Sequence, residues 1–149
     1  MGMHAGHRDR VKKEFLSGGL SHFPDIRALE LLLFYSRLQG DVNELAHTLI
    51  NTFGTLSGVF DAETELLLKV PGVGENTATL IKLIPALSAK YLSSRLNDDI
   101  ILDSSQNIHS LFTPYFFAAR NEMSFLACLD GKLKLLGVRK LGEGIPNAT

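Results

Sequence analysis

Apolar positions recur at helical spacing along the first two thirds of the chain and change to a strand-like pattern towards its end. Between Asp41 and Gly54, the residues Val42, Leu45, Ala46, Leu49, Ile50 and Phe53 fall on one face of a 3.6-residue repeat. This is the clearest amphipathic helix in the sequence, with Asp41 placed to cap it and Gly54 to close it. Upstream, Val11 and Phe15 stand four apart in a segment from Arg8 to Leu16 that Gly18-Gly19 is placed to stop. Asp25 is placed to cap a second helix from Ile26 to Arg37. Thr55 to Phe60 reads as a short turn, after which Asp61 caps a brief helix through Leu68. A longer helix follows from Thr77 to Leu92, with Ala78, Ile81, Leu83, Ile84 and Leu87 as buried positions and Pro85 as a predicted kink.

The polar break Leu96-Asn97-Asp98-Asp99 marks a domain boundary, giving an all-α domain over residues 1–95 and a second unit over 100–149. In the second unit, Ser104 or Ser105 starts a helix whose Ile108, Leu111, Phe112, Tyr115 and Phe116 are expected to face inward. Met123 to Leu129 and Leu133 to Leu141 then read as two strands around Asp130-Gly131, a dipeptide suited to a tight hairpin turn. Two strands with open edges and this much apolar surface are marginal in water, which predicts either self-association through Met123 to Leu141 or poor protection of that segment, while the helical domain stays compact.

With 149 residues, 45% hydrophobic and 21% charged, the chain can bury one ordinary core or two small ones. The formal charge of −1 gives no global attraction to nucleic acid, so any such binding rests on a local patch. Cys128 is the one cysteine, which excludes an internal disulfide and a thiolate zinc cluster and suits the cytoplasm. The basic start, Arg8, Arg10, Lys12 and Lys13, is not followed by a long apolar run. The stretch Leu29 to Tyr35 is interrupted by Glu30, so neither a secretion signal nor a membrane span is expected.

The least ordinary stretch is Val70-Pro71-Gly72-Val73-Gly74, which joins two helical segments with Ala78 four positions on. A helix N-terminus leaves backbone N–H groups without partners and carries partial positive charge, which suits a phosphate. Glycines at 72 and 74 permit a sharp turn and close approach of a ligand, while Val73 is placed to pin the turn into the core. A competing explanation is a plain helix joint in which the glycines only permit packing. Glu75 and Asn76 occupy the first turn of the next helix, where Glu75 repels an anion, so basic support must come from Lys69, Lys82 and Lys90. Any binding to DNA is expected to be weak.

The glycine loop resembles the helix-hairpin-helix motif, here at about residues 62–92. What that resemblance implies is contact with the DNA backbone, without reading of base sequence. Over a longer span, "GHRDRVKKEF", "LELLLFYSRLQGDVNELAHTLINTFGTLSGVFDA" and "LLKVPGVGENTA" resemble the opening of a RadC-family protein, and "FLACLDGKLKLLGVRKLGEG" resembles the start of that family's second domain. The family goes by the description of DNA-repair proteins. The fold this implies is a mainly α helix-hairpin-helix bundle, followed by the α+β start of an incomplete MPN (JAB) domain of the zinc metallopeptidase type. Such domains hold zinc through a His-x-His-Pro segment and a following Asp, with an upstream Glu as general base. The resemblance places that segment beyond Thr149. Glu143 is the one carboxylate in the stretch where the base would be sought, and the resemblance does not assign it that role. No catalytic residue and no cofactor of this chain's own follow, and zinc is implied for the full-length family alone.

The remaining candidates are weaker. His4-x-x-His7 is an incomplete metal site, and His22, His47 and His109 have no evident partners. Cys128 reads as a small buried hydrophobe, and Phe112, Tyr115, Phe116 and Phe117 as core. The basic run at 8–13 reads as a solvated helix face that could add phosphate contacts. The foremost expectation is thus weak, non-specific DNA binding through Lys69, Gly72, Val73, Gly74, Glu75, Asn76 and Lys82. Two rivals are a zinc-dependent peptidase in the full-length protein and a helical module that docks a protein partner.

Overall fold

In a computed structural model the chain is described over residues 3–95, 99–117 and 119–144. Among these residues, seven helices precede a two-stranded antiparallel sheet: α1 (Met3–Gly18), α2 (Asp25–Leu33), α3 (Asn43–Phe53), α4 (Leu56–Asp61), α5 (Thr64–Leu68), α6 (Glu75–Ser94), α7 (Ser105–Phe116), β1 (Met123–Leu129) and β2 (Leu135–Glu143). Two compact units divide inside α6, between Leu83 and Ile84, and not at the polar break. Three residues of that break, 96–98, lie outside the described residues.

The first unit is helical, and its core gathers from every helix up to the first half of α6. Val11, Leu29, Leu33, Val42, Ala46, Leu49, Val59, Leu67, Ala78 and Ile81 are all buried in it. The helix predicted from Asp41 behaves as its periodicity requires, with Leu45, Ala46 and Leu49 buried, Ile50 and Phe53 partly so, and Gly54 at φ 84 ending it. Asp41 Oδ1 accepts the Asn43 N–H at 2.8 Å, although Val42 holds the capping position itself.

Other boundaries move. Asp25 is the first residue of α2 and Pro24 its cap, and the helix ends at Leu33, short of Arg37. Proline fits there because it has no N–H to leave unpaired. Its end is held from outside. The Arg8 guanidinium donates to the carbonyls of Phe34 (3.4 Å), Arg37 (2.8 Å) and Gly40 (2.7 Å) and lies 4.8 Å over the Phe34 ring. One member of the basic run is thus a structural clamp. Its neighbour His7 meets the buried carboxylate of Glu30 at 3.0 Å.

The predicted turn at 55–60 is the helix α4, capped by the Thr55 hydroxyl, which accepts the Gly58 N–H at 3.0 Å. Gly58 is there for space: a Cβ on it would stand 2.2 Å from the carbonyl oxygen of Phe53. Asp61 ends α4 and does not cap α5, whose cap is Glu63. In α6 burial stops after Ile81. Leu83 is 48% exposed and Leu87 53%, so neither is the core residue its type suggests.

In the second unit, Ser104 caps α7 by accepting the Asn107 N–H at 3.2 Å. Leu111 and Pro114 are buried, whereas Ile108, Tyr115, Phe116 and Phe117 are exposed, against the inward face expected of most of them. The aromatic contact runs to the sheet: the Phe125 ring lies 5.0 Å from that of Tyr115 and 5.2 Å from that of Phe116.

The hairpin turn is longer than Asp130-Gly131 alone. Leu133 donates its N–H to Asp130 O at 3.0 Å, and Asp130 Oδ1 accepts from Lys132 N (2.8 Å) and Lys134 N (2.9 Å). The residue in the left-handed region is Leu133, at φ 62. Nor are both hairpin edges open. Leu102 N donates to Leu133 O (2.9 Å) and Leu135 N to Ile100 O (2.8 Å), so residues 100–102 lie along the start of β2. Farther along, the register skips Leu136 and Leu141, two bulges that interrupt β2 as an edge for pairing. Among the described residues, no helix is long and apolar enough to cross a membrane.

Candidate nucleic-acid interface

The loop between α5 and α6 is built by two consecutive local rules. Val73 N donates to Val70 O at 3.0 Å, closing a four-residue turn with Pro71 and Gly72 at its centre. Gly72 has φ 88, the value that the third position of a type II turn demands, and proline fixes the position before it. Val70 and Val73 are buried at either end, which anchors the turn to the core. Gly74 does something different. Its φ is not positive, and a Cβ there would meet nothing within 4 Å, so it faces open space. The carbonyl of Gly74 accepts the Ala78 N–H at 2.9 Å and starts α6.

The first-turn amides of α6, at Glu75, Asn76 and Thr77, have no carbonyl four residues earlier within the helix. Glu75 and Asn76 are exposed, so the helix start faces solvent with glycine on one side and a carboxylate at its first position. That carboxylate favours the helix dipole and opposes a second anion at the same place.

The basic residues expected to help divide sharply. Lys69 is exposed at the end of α5, beside the turn in sequence. Lys82 is turned away: its ammonium donates to Phe60 O at 2.8 Å and Ala62 O at 2.9 Å, which ties α6 to the end of α4. Its hydrogen-bond donors serve the fold. Lys90 is exposed and belongs to the second unit.

Two residues beside the loop escape a reading of sequence because they lie far upstream of it. Thr77, buried, donates its hydroxyl to Ser36 Oγ at 3.2 Å, and Ser36 in turn donates to Leu33 O at 3.2 Å. Next to Ser36, the exposed Arg37 brings Nη1 to 3.4 Å from where a Gly72 Cβ would stand, with Leu45 Cδ1 at 3.5 Å on the same position. The only signal for either in the sequence is a polar pair directly after the apolar run of α2.

The metal and catalytic candidates do not assemble. Among the described residues, no three His, Cys, Asp or Glu side chains come together to hold a metal ion. His22, His47 and His109 are exposed, and Cys128 is free and half-buried. The side chain of His4 lies outside the described residues, and His7 is engaged with Glu30. The zinc implied by the resemblance therefore does not fit the residues described. Glu143 is exposed, accepting from Lys140 Nζ at 2.5 Å and from Asn121 Nδ2 at 2.8 Å. The Lys140 hydrogen bond first, then that of Asn121, hold its carboxyl below the ordinary range, the wrong direction for a general base working near neutral pH.

The chain is similar to UPF0758 proteins, the family to which RadC belongs. It is 37% identical over 98 residues to one from Ruegeria pomeroyi, a match covering 66% of this chain and 44% of that protein. With one from Fusobacterium nucleatum the identity is 33% over 98 residues, covering 66% of this chain and 42% of the relative. The match thus spans less than half the length of either relative, and neither name states an activity. No protein-family model matches the chain, and no solved structure matches it significantly.

Proposed function

We propose that the chain is RadC-like and that its α5–loop–α6 segment is a helix-hairpin-helix that contacts the DNA backbone weakly and without reading base sequence. The observation that carries this reading is the Val70–Val73 turn, which sets the start of α6 toward solvent with no side chain at Gly74 to obstruct a ligand. Backbone amides at a helix start recognise a phosphodiester through its oxygens and are indifferent to the base attached to it. Lys69 adds charge from one side, while Glu75 and the overall charge of −1 limit the affinity. Gly72 and Val73 shape the loop; Gly74, Glu75 and Asn76 present its donors.

A part in DNA repair for the whole protein belongs to the same proposal and rests on the RadC resemblance. A zinc-dependent peptidase activity would belong to the whole protein too, and the residues described offer no set of ligands that fits its metal. The test is fluorescence anisotropy on short duplexes at low salt. Gly74→Val is expected to lower the affinity by blocking phosphate approach, and Glu75→Lys to raise it by removing a repulsive charge. Folded variants that both bind like the parent would place the contact elsewhere.

A further inference from the structure

Resting on that reading, we infer that Arg37 is the cation that clasps the DNA phosphate at the 70–76 loop, and that Arg8 is the residue that positions it. The loop's own sequence is poor in positive charge: Glu75 is acidic, and Lys82 is spent on the Phe60 and Ala62 carbonyls. Arg37 lies beside the turn, with Nη1 at 3.4 Å from where a Cβ on Gly72 would stand. The other arginines of the first unit with assigned contacts are occupied: Arg27 pairs with Glu14 at 2.5 Å, and Arg8 with three carbonyls. Among the described residues, no carboxylate or carbonyl accepts from the Arg37 guanidinium, although its own backbone carbonyl is held by Arg8. An exposed guanidinium with its donors unspent offers a planar fork that matches two phosphate oxygens, which a lysine cannot.

The position of Arg37 is imposed from two sides. Residues 34–40 follow the end of α2, and Arg8 fixes them by donating to Phe34, Arg37 and Gly40. Thr77, three residues into α6, holds the adjacent Ser36. The backbone at Arg37 is therefore fixed to the frame of the loop, so its exposed side chain starts from a set position beside the turn. Gly72 contributes by having no side chain between its backbone and the guanidinium.

The experiment is duplex binding by the full chain across a salt series, with Arg37→Ala, Arg37→Lys, Arg8→Met and the Arg8→Met/Arg37→Ala double variant, each checked by thermal melting. Arg37→Ala is expected to weaken binding to two unrelated sequences equally and to reduce the salt slope by about 1. Arg37→Lys should keep the slope and still bind less tightly than the parent. Arg8→Met should weaken the parent and add nothing to Arg37→Ala, because it acts only through that residue. If Arg37→Ala keeps the parent's slope while Gly74→Val loses binding, the inference fails and the loop reading stands. If both variants bind like the parent, or the parent binds no duplex at low salt, both fall. An Arg8→Met loss that adds fully to that of Arg37→Ala would overturn the positioning role.

Discussion

The hydroxyl of Thr77 donates to Ser36 at 3.2 Å, so the start of α6 is docked directly onto the residue that precedes Arg37. This single bond relates the glycine loop to a segment far upstream. Thr77→Val preserves shape and removes the donor, and is expected to cost about 1 kcal/mol, the usual worth of one such hydrogen bond. Urea denaturation measures the cost. Duplex affinity should fall as well, since Arg37 loses one of its two constraints.

Gly72 and Gly74 should respond differently to the same substitution. Gly72→Ala forces a side chain into the left-handed region and is expected to cost about 1–2 kcal/mol. Gly74→Ala meets open space at an ordinary φ and should change stability by about 0.5 kcal/mol or less. Equal losses in urea melts of the two variants would show that both glycines are needed for the turn.

Lys82→Met separates the fold from the interface. It deletes two charge-assisted hydrogen bonds to the Phe60 and Ala62 carbonyls and is expected to cost about 1.5–3 kcal/mol while leaving the salt slope of duplex binding unchanged. A reduced slope with parental stability would return Lys82 to the interface.

Gly58→Ala is expected to be among the most damaging single-methyl changes in the first unit. Its Cβ would meet the Phe53 carbonyl at 2.2 Å, and since backbone must move, a loss of about 1–3 kcal/mol follows. Thermal melting of the variant measures it.

How far these features show in the sequence depends on whether they are local. The helix from Asn43 to Phe53 was legible because each of its apolar positions is spent on one core. The turn at Val70–Val73 was legible because proline and glycine permit few alternatives at its centre. The helix α4 was not, because a glycine required by the Phe53 carbonyl resembles a break in periodicity. Leu83 and Leu87 carry the apolar character of core residues and stay exposed, since periodicity identifies a face and says nothing of what covers it. Lys82 and Arg37 make contacts that their positions in the sequence do not suggest. The lysine near the loop bonds to carbonyls behind it, while the arginine remote from it arrives through the packing of α2, which no short motif encodes.

In the second unit the prediction concerns acid. Lys134 beside Asp99, by hydrogen bond first and charge second, holds that carboxyl below its ordinary value, as Lys140 and Asn121 do for Glu143. A carboxylate lowered in the folded state adds stability that is complete above its unfolded value and is lost as pH falls through the folded one. Both groups are fully exposed, so the effect is small and sensitive to salt. The protection of the β2 amides, taken relative to the intrinsic exchange rate at each pH, is expected to fall below about pH 4, and the Asp99→Asn/Glu143→Gln variant should flatten that dependence. An unchanged dependence in the variant would assign it to other carboxyl groups.

The most direct test of the interface is amide NMR of the full chain during addition of two duplexes of unrelated sequence. The amides of Gly74, Glu75 and Asn76 are expected to shift first and by the same amount with both duplexes, and the shifts should collapse as salt is raised. Shifts absent from residues 72–77, or confined to α7 and the β1–β2 hairpin, would contradict the claim that this loop is where the protein meets DNA.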